Sequence, residues 1–230
     1  MRFGHLYMVQ SHRAPHVLRK YTMLHFEILD TKRKLYLDAV KKVGKDFYLA
    51  GGTALALQLG HRDSVDFDFF VEGDIDTLVL WEKIQEVFVG AKLLKTQEAH
   101  NTLSCTIAGD IKLSFFGYNY PLVFPLHTEE GLSLAGIHDI GAMKLSAITS
   151  RASIKDYVDL YYILKTISLD ELLQICTKKF EVLDTNLVLK SLVYFEDIME
   201  EPIMYMPMFE LTQSQIESRL RHVVKEYLAG

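Results

Sequence analysis

Cysteine is scarce in this sequence: Cys105 and Cys176 are the two present, far apart and in no metal-ligand spacing. That excludes a disulfide framework and fits a reducing compartment. Glycine and proline, 13 and 5 among 230 residues, are too few for a fibrous or disordered chain, and the 24% charged content is that of an ordinary globular protein. No apolar run approaches the ~20 residues of a membrane span, and the opening MRFGHLYMVQ lacks a signal-peptide core. A soluble, cytoplasmic protein without a membrane partner is expected. Several catalytic signatures are also missing. H-E-x-x-H, G-x-S-x-G, the Walker loop ending in Gly-Lys-Ser/Thr, and G-x-G-x-x-G are all absent, and the nine histidines are scattered.

The hydrophobic fraction of 49% supports a sizeable core in one or two domains. From Tyr21 to Val43 the apolar residues fall at helical spacing, and Gly44 suits a C-terminal cap. Phe47–Ala50 reads as a buried strand, Thr53–Leu59 as a helix closed by Gly60, and Val65–Val71 as the next strand. A helix over Asp76–Val89 precedes three strands, 91–98, 102–107 and 111–118, the last two joined at Ala108-Gly109-Asp110. Pro121 and Pro125 mark a loop. Asp139 is a plausible N-cap for a helix to Ser150, and Ser153 with Asp156 reads as a capping box for the helix 154–165. Beyond Leu169 the pattern is helical: 169–180, 186–199 and 214–228. The acidic, proline-containing stretch 196–207 interrupts that tail.

Charge is uneven. Residues 1–45 carry ten Lys/Arg against three acids, so this segment is +7 and the remaining 185 residues are −12. Such an arm is either a polyanion-binding surface or a solvated helix face.

The chemistry-bearing stretch is GGTALALQLGHRDSVDFDFF, residues 51–70. Residues two apart on a strand share a face ~7 Å apart, so Asp66 and Asp68 point one way while Phe67 and Phe69 enter the core. Two carboxylates so placed can grip one hard divalent cation, whose shell phosphate oxygens would complete; the bland alternative is a charged outer strand face. Gly51-Gly52, between strand and helix, would let backbone N–H groups approach an anion at the helix N-terminus. Thr53 could add a hydroxyl, and Arg62 and Ser64 could reach phosphates or be an ordinary polar loop.

A hydrophobic strand, Gly-Gly-Thr-Ala-Leu, then Arg-x-Ser-x-Asp-x-Asp-Phe resembles the signature of the nucleotidyltransferases with the DNA-polymerase-beta-like fold, and in particular the AbiEii/AbiGii toxin family. The segment DIGAMKLSAITSRASIKDYVDLYYIL is similar to that family's lysine-bearing helix and its following Lys/Arg-Asp-x-x-Asp-Leu motif. The resemblance spans residues 46–165. It implies an α+β protein: a mixed-sheet nucleotidyltransferase fold with flanking helices (1–165, including the basic arm), then a C-terminal helical bundle (166–230). It implies Mg²⁺ or Mn²⁺ on Asp66 and Asp68, a nucleoside triphosphate as substrate, RNA such as tRNA or a protein as acceptor, and a cognate antitoxin. Lys144 matches the helix lysine near the triphosphate or the attacking hydroxyl, and Asp156 the acid that orients it; Arg151 would offset developing charge. Read without the resemblance, Lys144 is a surface lysine and Asp156 a capping residue. One departure stands out. On the strand IKLSFFGY, Ser114 occupies the place of a third family carboxylate, so a non-catalytic nucleotide- or RNA-binding module is the alternative, and transfer of the terminal phosphoryl group a third.

Overall fold

The computed structural model describes residues 23–199 and 201–230. The first 22 positions of the basic arm, including Arg2, Arg13, Arg19 and Lys20, lie outside the described residues. Helix α1 (Thr31–Val43) starts where the Asp30 carboxylate accepts from the Arg33 amide at 2.7 Å, and it stops at Gly44. The helix expected from Tyr21 is thus shorter, with a separate 3-10 turn at Phe26–Ile28 before it. Arg33 is buried rather than solvated: its Nε donates to the Val65 carbonyl at 2.8 Å and its guanidinium pairs with Asp30. Lys32 is tied to Asp110 and to the Ala108 carbonyl. This part of the arm clamps the chain onto the sheet.

Strand β1 (Tyr48–Ala50) runs directly into α2 (Gly51–Leu59), and β2 (Asp66–Val71) returns antiparallel beside β1. After α3 (Thr77–Val87) come β3 (Leu93–Ala99), β4 (Thr102–Ile107) and β5 (Ile111–Gly117). The stretch around Pro121 and Pro125, expected as a loop alone, leads into a hairpin of β6 (His127–Glu129) and β7 (Leu132–Leu134). Its turn residues Glu130 and Gly131 both have positive φ, 53° and 78°, as a tight two-residue hairpin loop requires. The seven strands form one mixed sheet in the order β3-β4-β5-β2-β1-β7-β6, with β2–β5 and β1–β7 parallel.

Alternation along β2 sets the two faces. Phe67 and Phe69 are buried with Phe115, the Phe69 and Phe115 rings stacked at 5.2 Å; Asp66, Asp68 and Phe70 turn to the opposite face.

Helix α4 (Ile137–Ala147) packs on α2, on α5 (Ile154–Ile163) and on α6 (Leu169–Lys179). Asp139 does not cap it. The N-cap is Gly136, and Asp139 is fully buried in the first turn, accepting from the Val123 and Phe124 amides at 3.0 Å each and from Lys179 Nζ at 2.9 Å. It pins the proline loop and α6 to α4. Nor do Ser153 and Asp156 form a capping box. Ser153 holds the N-cap position without a side-chain cap bond and donates instead to Glu201 at 2.8 Å.

The helix expected over 186–199 ends early, as α7 (Thr185–Val193), where Tyr157 Oη donates to the Ser191 carbonyl. Beyond it the Met199 amide bonds to the Ala152 carbonyl and the Asp63 amide to that of Met204, before α8 (Gln213–Ala229) closes the fold on a true capping box, Thr212 with Gln215. Among the described residues, no helix is long and apolar enough to cross a membrane.

Candidate active site

A cleft of about 860 Å³ lies between the open sheet face, the start of α2, one side of α4 and the residues Met199, Glu201, Pro202 and Met204. Every site residue expected from the sequence lines this cleft. How each is held decides what it can do.

Helix α2 begins without a side-chain cap, since its N-cap is Ala50, so its first amides are left for another partner. Gly51 has φ +69°, and a Cβ there would come 3.1 Å from Asp68 Oδ2; a Cβ on Gly52 would come 2.6 Å from Arg62 Nη2. Glycine is therefore what lets the helix start against the carboxylate and the guanidinium. Thr53 is buried, donating to the Asp66 carbonyl and sharing a 2.7 Å hydrogen bond with Ser64 Oγ. Its hydroxyl braces strand β2 rather than presenting itself to a phosphate.

Asp66 and Asp68 are partly exposed on the same face of β2. Among the described residues neither has a Lys, Arg or His within ion-pair distance, the Asp68 partner being the Ser114 hydroxyl. Burial first, then the neighbouring charge of Asp66, pushes the Asp68 carboxyl above its usual range, against the weaker pull of Lys112, Ser114 and Lys144. Two hard, unpaired oxygen donors that repel each other are what a divalent cation would relieve, so the donor set fits Mg²⁺ or Mn²⁺. Ser114 lies in register with Asp68 on the adjacent β5, so the place of a third carboxylate is filled by a hydroxyl. Among the described residues no group of three or more His, Cys, Asp or Glu side chains is arranged for a metal.

The opposite wall is a buried charge cluster. Lys144 Nζ lies 2.7 Å from Asp156 Oδ1 and 2.6 Å from Asp159 Oδ2. The expected meeting of Lys144 with Asp156 occurs, and neither is a surface residue. Asp159 was not singled out from the sequence, yet it is the hub, fully buried and bonded to His61 Nε2 at 2.8 Å and to Arg62 Nε and Nη2 at 2.8 and 2.9 Å. Burial alone would raise its pKa; Arg62 and Lys144, with hydrogen bonds from His61 and Arg62, outweigh it and hold the carboxyl well below the ordinary range. Burial pushes the His61 imidazole below its usual range despite Asp159 beside it. Arg62 corrects one expectation: with its guanidinium clamped on Asp159 and on the Asp63 carbonyl (2.9 Å), it supports the floor under Gly52 instead of reaching out as a free phosphate ligand. Arg151 is the exposed cation at the rim. Its side chain is 59% accessible while its Nε donates to Asp156 at 2.9 Å.

Three further participants were missed. Lys112 stands beside Asp66 on β5, a placement the two-residue period of IKLSFFGY could have indicated. Residues 199 and 201–204 carry no sequence signal of their position beyond Pro202. Asp159 was legible, because the D-x-x-D spacing puts Asp156 and Asp159 on one helix face.

The sequence profile described as "Nucleotidyl transferase AbiEii toxin, Type IV TA system" matches residues 35–228. The resemblance read over 46–165 therefore continues through the helical tail. The uncharacterized protein aq_aa25 of Aquifex aeolicus (strain VF5) is 37% identical over 208 residues, covering 87% of this chain and 98% of its own. Among solved structures, MenT4, a nucleotidyltransferase toxin from Mycobacterium tuberculosis H37Rv, has a TM-score of 0.59 at 15% identity and covers 84% of this chain and 82% of itself. JHP933 from Helicobacter pylori has 0.51 at 16%, covering 87% and 95%. At such identities these two share the fold.

Proposed function

This chain belongs to the AbiEii family of nucleotidyltransferase toxins, and on that premise we propose that it moves a nucleoside monophosphate from a nucleoside triphosphate to an acceptor hydroxyl on RNA, such as tRNA, or on a protein. The observation that carries this reading is the unpaired Asp66–Asp68 face set against the uncapped start of α2. Asp66 and Asp68 hold Mg²⁺ or Mn²⁺, which when bound neutralises charge on the triphosphate. The Gly51, Gly52 and Thr53 amides and the Ser64 hydroxyl hold phosphate oxygens. The acceptor oxygen bonds to the α-phosphorus as the bond to the bridging oxygen breaks. Pyrophosphate leaves with that electron pair, and the hydroxyl proton goes to solvent.

Lys144 donates to Asp156 at 2.7 Å and pairs with Asp159 at 2.6 Å while lining the cleft. The Lys144 ammonium and the exposed Arg151 guanidinium offset the charge that develops on the phosphate. Arg62 and Asp159 act through Lys144 by fixing where it points. Residues to 165 form the catalytic unit and 166–230 a helical unit buttressing α4 and α5. A cognate antitoxin would restrain the activity in the cell.

The test uses triphosphates labelled at the α- or the γ-phosphate, with total RNA and Mg²⁺. Transfer of α-label with release of pyrophosphate is expected. Transfer of γ-label would replace the reading with phosphoryl transfer, and binding without either product would make the protein a nucleotide-binding module whose turnover is missing with the carboxylate at Ser114.

A further inference from the structure

The cleft has a second half that the phosphate and metal chemistry leaves unused. Strands β2 and β5 run parallel with Asp68 opposite Ser114 and, one step along the same face, Phe70 opposite Phe116. The Phe70 and Phe116 rings stack at 5.1 Å and 30°. Tyr48 stacks behind Phe70 at 5.8 Å and 24°, and Tyr118 meets Phe70 edge-on at 5.2 Å. Phe67, Phe69 and Phe115 fill the other face; on this face Tyr48 is buried and Phe70 packs against it, while Phe70 and Phe116 stay partly exposed and line the cleft. The partly exposed Met143 of α4 lines the same cleft. A stacked aromatic floor suits a planar ring.

We propose that this aromatic row is the platform for the base of the nucleoside triphosphate. The inference rests on the proposed nucleotidyl transfer and deepens it. Along β2 the order is carboxylates, then rings, with ~7 Å between successive same-face positions. That is the order of a nucleotide laid along the strand, phosphates over Asp66 and Asp68 and base over Phe70 and Phe116, with the sugar between. Because every base has a π-face, stacking here favours a nucleotide over bare phosphate without selecting a base strongly.

Calorimetric titration with α,β-methylene analogues of the four triphosphates and with inorganic tripolyphosphate, all with Mg²⁺, tests this. The parent should bind each analogue more tightly than tripolyphosphate. Phe116→Leu, which keeps apolar bulk but loses the ring, should weaken the analogues by roughly five- to a hundredfold, the span of one base–aromatic stack, and leave tripolyphosphate unchanged. Phe116→Tyr should bind as the parent does, which separates loss of the ring from loss of the fold. Equal parent affinity for analogues and tripolyphosphate, or a Phe116→Leu variant matching the parent, overturns the platform while the phosphate–metal site stands. If the parent binds neither probe, the proposed transfer reaction falls and the platform with it.

Discussion

Replacing Asp159 by Asn keeps the shape of the hub and removes its charge. Three side chains depend on that carboxylate: Arg62 through two contacts of 2.8 and 2.9 Å, Lys144 at 2.6 Å and His61 at 2.8 Å. An amide turns an N–H₂ toward at least one buried cation. Breaking a buried pair by removing one partner costs about 3–5 kcal/mol. Arg62 keeps the Asp63 carbonyl and Lys144 keeps Asp156, which favours the lower end, so a loss of about 3 kcal/mol is expected. For a chain of this size that is a fall in melting temperature of roughly 6–12 °C. Circular dichroism melts over a range of pH add a second signature. The Asp159 carboxyl is held below its unfolded value of about 3.9, so its stabilisation is complete above that value and is lost as pH falls through the folded pKa. Parent and variant should therefore converge only in acid below about pH 4. A variant melting with the parent at neutral pH would refute the view that the cluster locks α5 to the 61–62 loop.

Asp68→Asn should lose the rise in melting temperature that Mg²⁺ gives the parent, about 2.7 kcal/mol at a hundredfold excess over the dissociation constant, and should melt no lower than the parent in chelator, where the repulsion with Asp66 is gone; an unchanged Mg²⁺ response would move the metal elsewhere. Ser114→Asp puts a third carboxylate in register with Asp68 at a buried position, so it should destabilise the protein in chelator and steepen the Mg²⁺ dependence of melting; a variant indifferent to Mg²⁺ would mean that this face does not bind it. On the basic arm, Arg33→Glu should cost about 3–5 kcal/mol because the guanidinium is buried, while Lys34→Glu should stay within about 0.5 kcal/mol. Equal urea midpoints for the two would contradict the clamping role of Arg33.

The sheet region was legible where alternation and turns are local properties: β2 and the 102–117 hairpin follow from side-chain period and from Ala108-Gly109-Asp110. Hairpin β6–β7 was not, because its strands are three residues long and the flanking prolines dominate the pattern. Capping readings failed at Asp139 and Ser153 for one shared reason. A residue type suited to a cap is equally suited to a long-range bond, and here Lys179 and Glu201 supply partners that no local window contains. In the candidate site the positions were readable, and of the pairings Lys144 with Asp156 was readable and the others were not. Arg62 in the sequence is a cation near two aspartates; only the fold reveals that it belongs to Asp159, 97 positions later.

That pairing explains why the cleft holds both signs of charge without cancelling them. Opposite charges sharing a cleft would ordinarily pair, and an Arg62 or Lys144 bound to Asp66 or Asp68 would leave neither a metal site nor a cation for phosphate. Here the α5 acids at positions 156 and 159, on one helix face, hold Lys144 and Arg62 on the helical wall, and Arg151 leans on Asp156 as well. Lys144, Arg62 and Arg151 there lie against Asp156 and Asp159, across from the acidic pair on the sheet. The D-x-x-D motif thus holds Lys144, Arg62 and Arg151 off the strand carboxylates, and Lys112, beside Asp66 on β5, is the neighbouring cation it does not hold. Removing the motif by Asp156→Asn with Asp159→Asn should let a cation swing to Asp68, and the expected readout is a loss of Mg²⁺-induced stabilisation in a protein whose Asp66 and Asp68 are untouched. A double variant, still folded, that retains the parent's Mg²⁺ response would show that distance alone keeps the two groups apart.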